Sequence, residues 1–350
     1  MPRPHLTTDC RYLITHMHYH GFTNAAIARR VGCHRATVGR ELARNRDSLG
    51  DYHYESAQRL ARARRTAANH QRDKLRPGSA LGKYVRAKLR QRWSPEQIVN
   101  RLKRDHPRNS PRNNPRNNPR NSSCDPAMRV TPETIYRWVY AQHLSGVRWH
   151  EHLRRRHKRR RSRIVGERRG CGRGQIPGRV GIEQRPAVVD RRGRFGDWEA
   201  DTVEGAKGTG LIASHVERKS RYTKLGKLKN KRADTVTAST CSIFRAMPES
   251  LRRTSTLDNG KEFADFATIE SALGMTIYFA NPHAPWERGT NENTNGLLRD
   301  FFPKGSDFRK ITPARLAQVE RMLNNRPRKC LNYRTPAEVL NALPGVALRN

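Results

Sequence analysis

The first 45 residues place apolar side chains at helical intervals, with glycines between the periodic segments. Ile14 and Met17 follow the helical period, and that helix is expected to break at Gly21. A second helix begins after Thr23, whose side chain can cap it, and Gly32 allows a sharp turn into a third helix. Three short helices with this turn before the third are typical of a helix-turn-helix fold.

The third predicted helix places its apolar residues on the core side and its polar residues on the exposed side. Arg35, Thr37 and Arg40 would face a DNA major groove, where arginine pairs well with guanine O6 and N7. An ordinary three-helix bundle with a solvated basic face is the alternative. The order Ile-Ala-x-x-Val-Gly followed by Thr-Val-x-Arg-Glu-Leu favours DNA binding.

A second helical region follows, and its helices begin at clear caps. SPEQ at residues 94–97 is a capping box with proline at the first helical position, and TP at 131–132 begins another helix. Between them, residues 107–122 repeat Pro-Arg-Asn with no apolar side chain, which predicts a disordered or extended spacer. Residues 55–75, rich in Ala and Arg, indicate either an exposed basic helix or a simple connector.

From about residue 187 the pattern changes to short β-type runs separated by helical ones. AVVD and then DWEADTV predict a first strand that ends around Asp201, and residues 210–228 predict a hairpin. A helix follows, then a strand that ends at TLDNG, a helix, the short strand MTIYFA and a helix that contains Glu292. This order suits an α/β architecture with a mixed sheet flanked by helices.

Three acids stand at related positions in these elements. Asp201 ends the first strand, Asp258 follows a later strand, and Glu292 lies on a helix, with 33 residues between the last two. Such carboxylates can converge on two divalent cations, and oxygen ligands suit Mg²⁺. Two cations would hold the attacking and leaving oxygens of an in-line phosphoryl displacement. The Asp-Asn-Gly sequence at Asp258 also favours a turn, which is compatible with presenting the acid.

The string PWERGTNENTNGLLRDFFPKGSDF, with TLDNG upstream, resembles the catalytic signature of the IS-thirty family of insertion-element transposases. The ending RELARN at residues 40–45 resembles the family as well, so the resemblance covers nearly the whole chain. It implies a multidomain protein: an all-α helix-turn-helix region and an RNase H-like, integrase-type core of the DDE superfamily. It also implies that Asp201, Asp258 and Glu292 are the catalytic residues, and that they bind two ions of Mg²⁺ or Mn²⁺.

Two further acids compete with Asp201 for its role. Asp197 and Glu199 stand close by, and Glu199 shares its strand face because side chains alternate along a strand. The context Trp-Glu-Ala-Asp-Thr aligns Asp201 with the first acid of the family.

A similar choice arises between two glutamates of the signature. Glu287 follows Pro-Trp and precedes Gly289, which indicates an entry loop, whereas Glu292 lies inside the helix. Five residues of helix would turn the two onto different faces. Arg299, two turns beyond Glu292, is expected to grip a DNA phosphate, and the family commonly has a basic residue there.

The net charge indicates the class of partner. The 350 residues include 71 Lys and Arg against 31 Asp and Glu, a formal net charge of +40. Such an excess attracts polyanions, and we expect double-stranded DNA rather than a ribosomal role or an anionic membrane surface. No run approaches 18 apolar residues, MPRPHLTTDC lacks a signal-peptide core, and six scattered cysteines predict free thiols. A cytoplasmic, nucleoid-associated protein is expected.

These features predict four parts of the chain. Residues 1–50 form a helix-turn-helix domain, and residues 51–150 form a second helical DNA-binding region interrupted by the repeat at about 105–127. Residues 151–186 form a basic linker rich in Gly and Arg that is expected to follow the DNA backbone, and residues 187–345 form the catalytic core.

The resemblance implies a transposase that binds the terminal inverted repeats of its element, cuts a phosphodiester at each end and transfers the 3′ end to target DNA. Joining two ends implies a homo-oligomer. Two alternatives stay open. One is a DNA-binding regulator with an inactive core, against which the three acids argue. The other is an RNase H-type nuclease for RNA–DNA hybrids, against which the helix-turn-helix argues.

Overall fold

The computed structural model describes residues 5–46, 50–71, 74–107, 128–154, 176–282 and 284–343. The chain packs as two compact units, Met1–Arg76 and Pro77–Asn350. The predicted Pro-Arg-Asn repeat and most of the predicted basic linker lie outside the described residues.

The first unit is helical, and its helices begin and end where local signals predict. The Thr23 side chain accepts a hydrogen bond from the backbone N–H of Ala26, as a helix cap does. Gly32 has φ 74°, a left-handed conformation that glycine adopts without steric cost. The prediction of three helices with a sharp turn is therefore confirmed, and a fourth helix follows. The helices are α1 Thr8–Tyr19, α2 Asn24–Val31, α3 Arg35–Asn45 and α4 Tyr54–Gln71.

The core of this unit joins all four helices. Ile14, Ile27 and Val38 are fully buried, and Ala57 of α4 packs in the same cluster. The Arg11 guanidinium on α1 bridges α3 and α4, since Nε lies 2.6 Å from Glu41 Oε1 and Nη1 donates to Gln58 Oε1 at 2.6 Å. Residues 54–71 are thus a packed helix of the first unit rather than a bare connector.

The second unit begins with three helices, α5 Ala80–Arg90, α6 Pro95–Asp105 and α7 Pro132–Leu144. The capping box of α6 is present, because the Ser94 and Gln97 side chains each bond the other's backbone N–H. Helix α6 also contacts the end of the chain: Gln97 Nε2 donates to the Pro327 carbonyl at 2.8 Å, and Arg101 pairs with Glu338 at 2.7 Å. The second helical region is therefore attached to the core.

A five-stranded mixed sheet lies at the centre of the second unit, in the order β3-β2-β1-β4-β5. Strands β1, β2 and β3 are antiparallel, whereas β4 and β5 run parallel to β1. The predicted α/β architecture with a mixed sheet is confirmed. The strands are β1 Asp197–Glu204, β2 Leu211–Glu217, β3 Thr223–Leu228, β4 Thr254–Leu257 and β5 Thr276–Phe279.

Helices cover both faces of this sheet. On one face Trp198 and Ala200 of β1 pack in a cluster with Phe244 of α9 and Ile269 of α10. On the other face Val203 of β1 packs in a cluster with residues of α11 and α12. Side chains alternate along a strand, so Asp201 points to the α11 face with Val203. The remaining helices are α8 Ala187–Asp190, α9 Ala233–Arg245, α10 Phe266–Leu273, α11 Gly289–Leu298, α12 Pro313–Asn324 and α13 Pro336–Asn341.

The start of the core differs from the prediction in two respects. AVVD is one turn of helix, α8, rather than part of a strand. Strand β1 does not end at Asp201 but continues to Glu204, because Asp201 to Glu204 pair with residues of β2 through Ser214 to Leu211. The acid therefore lies within a central strand.

No helix in the described part of the chain combines the length and the apolar character that crossing a membrane requires.

Candidate active site

Strand pairing brings Asp201 and Asp258 together. Strand β1 runs parallel to β4 with Glu199 beside Thr256. Asp201 follows Glu199 by two residues, and Asp258 follows Thr256 by two residues. Asp258 therefore lies just after the end of β4, beside Asp201. The hydrogen bond from the Gly260 N–H to Asp258 Oδ1, 3.0 Å, holds the predicted turn that presents this acid. The sequence placed the two acids on separate strands, and parallel pairing makes them neighbours.

A guanidinium lies between the two carboxylates. Arg288 Nη1 is 3.7 Å from Asp201 Oδ1, and Arg288 Nη2 is 3.2 Å from Asp258 Oδ2. Nη1 also donates to the Ala200 carbonyl at 2.9 Å, which fixes the guanidinium against β1. Arg288 precedes the first residue of α11, so that helix delivers a positive charge to the acid pair. Sequence reasoning did not identify Arg288, because its partners depend on the packing of α11.

The environment of Asp201 disfavours its charged form. Burial raises the pKa of the Asp201 carboxyl, Arg288 opposes this shift, and the nearby carboxylates of Asp258 and Glu262 raise the pKa further. Glu262, itself buried, accepts from the Thr202 hydroxyl at 3.1 Å and lies 3.2 Å from Lys231 Nζ. A partly buried pair of acids that needs a cation is a common property of functional sites.

Amide side chains of α11 orient Asp201 from the opposite side. Asn295 Nδ2 donates to Asp201 Oδ2 at 2.8 Å, and the Ser214 hydroxyl of β2 lies 2.8 Å from Asn295 Oδ1. One turn earlier, the buried Asn291 donates from Nδ2 to the carbonyls of Glu199 and Ser214 at 3.0 and 3.1 Å. These bonds attach α11 to β1 and β2, so the helix and the acids keep a defined spacing.

The two rival acids near Asp201 have structural partners. Glu199 is buried, with Oε1 at 2.6 Å from Arg218 Nη1 and Oε2 accepting from the Asn291 N–H at 2.9 Å. Asp197 is buried as well and accepts from the Thr254 hydroxyl at 2.8 Å. Their carboxylates are committed to the internal contacts of the sheet.

Glu292 is exposed on α11, and the structure does not bring it into contact with the aspartate pair. It precedes Asn295 by three residues, so its side chain leaves the helix about 60° around from the amide that touches Asp201. Among the described residues, no three His, Cys, Asp or Glu side chains are close enough together to hold a metal ion. Glu292 is therefore not part of the aspartate pair in this structure.

The other signature residues occupy separate positions. Glu287 lies in the 3-10 turn before α11 and accepts from the Asn281 N–H at 2.7 Å, which suits a loop-holding role. Arg299 caps the C-terminus of α11, and its Nη2 donates to the Glu204 carbonyl at 2.8 Å.

The predicted DNA-contacting residues of α3 are accessible to different degrees. Arg35 and Arg40 are exposed and Thr37 is half-buried. Arg40 Nε donates to the Ala36 carbonyl at 3.0 Å, so its side chain lies along its own helix.

Comparisons with known proteins agree over most of the chain. A helix-turn-helix domain model matches residues 3–45. The transposase for insertion sequence element IS4351 of Bacteroides fragilis is 38% identical over 335 residues, which is 95% of this chain and 94% of that protein. Transposase InsI for element IS30A of Escherichia coli strain K12 is 36% identical over 328 residues, 92% of this chain and 79% of that protein.

The transposase for element IS1086 of Cupriavidus metallidurans is 38% identical over 315 residues, 90% of this chain and 88% of that protein. Among solved structures, the catalytic core domain of BIV integrase matches 41% of this chain and 92% of its own chain, with 18% identity and a TM-score of 0.32. The relatives by sequence extend from the helix-turn-helix through the core, and this chain belongs to the IS30 family of insertion-sequence transposases.

Proposed function

We propose that this protein cuts DNA at the ends of an insertion element and joins those ends to target DNA, as a DDE-type polynucleotidyl transferase. The observation that supports this most is the convergence of Asp201 and Asp258 on one cation, the Arg288 guanidinium, between adjacent parallel strands. The family's members that match this chain are named as transposases of insertion elements.

The donor set fits divalent cations. Asp201 and Asp258 supply carboxylate oxygens at one edge of the sheet, and we assign Glu292 as the third ligand, reached from the exposed face of α11. Carboxylate oxygens are the ligands that Mg²⁺ and Mn²⁺ prefer. When bound, such cations stabilise negative charge on the phosphoryl oxygens and align the attacking and leaving oxygens.

The protein's own side chains prepare this site. Asn295 holds Asp201 Oδ2, and Asp201 Oδ1 accepts from the Thr202 N–H at 2.9 Å and lies 3.7 Å from Arg288 Nη1. Arg288 balances the two negative charges, so the carboxylates stay close together before a cation arrives. Glu292 joins the pair through rotation of its exposed side chain. We also propose that Arg299 binds a phosphate of the DNA. It lies at the C-terminus of α11, whereas Arg288, which contacts the acids, precedes the N-terminus of that helix.

The helical regions supply DNA recognition in this proposal. Arg35, Thr37 and Arg40 of α3 read the terminal inverted repeats, and the net charge of +40 supplies attraction to phosphates. Pairing of two element ends for joining requires two or more copies of the chain.

The test compares cleavage with binding on DNA that carries an element end. Asp258→Asn removes one ligand charge with little change in shape, so Mg²⁺-dependent nicking should be lost while the affinity for the end is kept. Asp234→Asn is the matched control, because Asp234 is an exposed acid on α9 that lies outside the site. Its cleavage should equal that of the wild type.

Two results would contradict the proposal. Cleavage by Asp258→Asn at the wild-type rate would remove Asp258 from the metal site. Wild-type protein that binds the ends but cuts none with Mg²⁺ or Mn²⁺ would instead indicate a DNA-binding regulator with an inactive core.

A further inference from the structure

A cleft lies beside α11, away from the acid pair, and its lining is strongly cationic. It has a volume of about 600 Å³, and no Asp or Glu is among the described residues that line it. We call it the arginine cleft, after its six cationic residues. They come from the ends of four segments that are distant in sequence: Arg154, Arg192, Arg221, Arg326, Arg328 and Lys329.

Two of these guanidiniums are buried without full partners. Arg326 is 3% exposed and Arg328 is 8% exposed. Arg326 Nε donates to Gln97 Oε1 at 2.9 Å, and Arg328 Nη2 donates to the Leu323 carbonyl at 3.3 Å. Among the described residues, Arg326 Nη1 and Arg328 Nε have no hydrogen-bond partner, and the nearest carboxylate to Arg326 Nη1 is that of Asp300, at 3.8 Å. Burial of positive charge is costly, and an anion in the cleft would offset part of that cost.

The charges in the cleft also act on one another. Burial, and then the neighbouring guanidiniums Arg326, Arg221 and Arg154, lower the pKa of Arg328 to about 9. Two carboxylates lie near these cations: Glu96 is 3.6 Å from Lys329, and Asp300 is 3.9 Å from Arg154 and 3.8 Å from Arg326. Two carboxylates cannot balance six cations, so the cleft keeps a net positive charge.

Backbone conformation supports a specific role for two of the arginines. Arg192 has φ 53° and Arg221 has φ 64°, the left-handed region that side chains other than glycine rarely adopt. Arg221 Nη1 also donates to the Thr290 hydroxyl at 2.5 Å, which directs the guanidinium towards the first turn of α11. Unfavourable backbone conformations that persist at a binding surface often serve to position a side chain.

We propose that the arginine cleft binds a phosphodiester of the DNA backbone, at a position separate from the acids. This inference rests on the proposed function, since it assumes that DNA crosses the catalytic face. Asn291 and Asn295 of α11 face β1 and Asp201, whereas Asn293 and Thr294 of the same helix line the cleft. A helix is about 10–12 Å across, so the phosphate in the cleft belongs to a nucleotide beyond the one at the acids.

Guanidinium chemistry favours this ligand. The planar group pairs with phosphate oxygens through two parallel N–H donors, and several groups around one cleft can share a diester's charge. Free phosphate offers the same oxygens, so the experiment must distinguish the two sources.

Cys330 provides a reporter inside the cleft. It is a free, exposed thiol that lines the cavity beside Arg328 and Lys329. The full-length protein is treated with a maleimide in EDTA, so no cleavage occurs, and mass spectrometry follows labelling of Cys330. We expect element-end DNA to slow this labelling several-fold. Labelling that DNA leaves unchanged would overturn the proposal, as would protection by inorganic phosphate alone.

A double variant tests the arginines themselves. Arg192→Asn with Arg221→Asn removes two charges, and asparagine tolerates left-handed backbone better than any other neutral residue except glycine. The control double variant, Arg245→Asn with Arg315→Asn, removes two exposed charges outside the cleft. In the cleft variant we expect DNA protection of Cys330 to be lost and the slope of log affinity against log salt to fall by about one.

The control variant should keep the protection of Cys330. If both double variants lost the protection of Cys330 equally, the effect would come from the overall surface charge rather than from the cleft, and the proposal would be overturned. Failure of the proposed function looks different: wild-type protein would then not cut element ends at all. Protein that cuts those ends while its cleft variant keeps Cys330 protected would overturn the cleft alone.

Discussion

Asp201 is positioned by residues on three different elements. Asn295 on α11 binds one of its oxygens, Arg288 approaches the other, and Ser214 on β2 orients Asn295. Each contact depends on a side chain whose role is invisible from its own neighbourhood in the sequence. At the scale of single residues, the candidate site is a pair of acids held ready by amides and one arginine.

The two glutamates of the signature should respond differently to loss of charge. Glu292→Gln should abolish nicking and strand transfer, because it removes the third proposed ligand. Glu287→Gln should be mild, since the amide oxygen can still accept from the Asn281 N–H. Cleavage of element-end DNA at fixed Mg²⁺ would measure both. An active Glu292→Gln beside an inactive Glu287→Gln would reverse the assignment.

Arg288 should compete with divalent cations for the aspartate pair. In Arg288→Met the two carboxylates face each other unbalanced, so the metal-free protein should lose stability, on the order of 1 kcal/mol. Added Mn²⁺ should then raise the melting temperature of the variant more than that of the wild type. The exposed Arg315→Met serves as the control. Identical Mn²⁺-induced shifts in wild type and Arg288→Met would show that the guanidinium does not shield the pair.

His215 should make the core sensitive to acid. Complete burial lowers the pKa of this histidine to about 4, below the value of about 6.5 for an unfolded chain. Between these values the unfolded chain binds a proton that the folded chain excludes, so stability falls as the pH falls. The loss approaches about 3 kcal/mol near pH 4, at about 1.4 kcal/mol per pKa unit.

Urea unfolding at several pH values would measure this effect against His215→Leu, in which the histidine contribution is absent. Glu217 acts in the opposite direction, because burial raises its pKa to about 6, but it is present in both proteins. Equal pH dependence in the two proteins would exclude His215 as the source.

At the scale of elements, one side of α3 packs against the rest of the first unit, and the other side is exposed. Glu41 pairs with Arg11, Leu42 is in the core, and Asn45 is fully buried. Three residues of the RELARN ending thus hold the unit together, and Arg40 remains exposed. The resemblance in this ending is therefore partly a signature of packing, and the proposed DNA-reading role rests on the exposed positions.

Arg40→Ala should discriminate between DNA sequences. If Arg40 reads a guanine, its loss should cost about 1–3 kcal/mol on the element end and much less on random DNA. Arg29→Ala removes an exposed charge from α2, the helix that crosses the backbone in a helix-turn-helix, and should weaken both DNAs alike. Fluorescence anisotropy with the two duplexes measures this. Equal losses for Arg40→Ala on both duplexes would make it a phosphate contact.

At the scale of the whole molecule, the chain consists of two units with separate cores. The core of the first unit is complete only when α4 and the residues just before it are included, because Tyr52 and Ala57 are buried in the same cluster as Ile14 and Leu42. The second contains both the sheet and the helices α5 to α7, whose contacts include Arg101 with Glu338. The second helical region, which the sequence predicted to bind DNA, therefore belongs to the same unit as the acids.

A fragment of residues 1–76 should fold alone, whereas residues 1–50 should be much less stable. The shorter fragment loses the packing of Ala57, and Arg11 loses its hydrogen bond to Gln58. Thermal unfolding followed by circular dichroism would compare the two. A cooperative transition at the same temperature in both fragments would show that α4 contributes nothing to this core.

The sequence alone determined the features that depend on nearby residues. Helix caps at Thr23, Ser94 and Thr131, the turn at Gly32 and the strand before Asp258 all follow from local hydrogen bonding and periodicity. The net charge and the signature likewise indicated DNA and the family. The extent of β1 beyond Asp201 was predicted wrongly, because its pairing with β2 continues past the acid.

Only the tertiary structure decided which side chains meet. Asp201 and Asp258 are adjacent because β1 and β4 pair in parallel, and Arg288 enters between them because α11 packs across the sheet. The arginine cleft likewise collects charges from segments far apart in the chain. Charge and hydrogen bonding act over a few ångströms in space, and the distance between two residues along a sequence does not specify that separation.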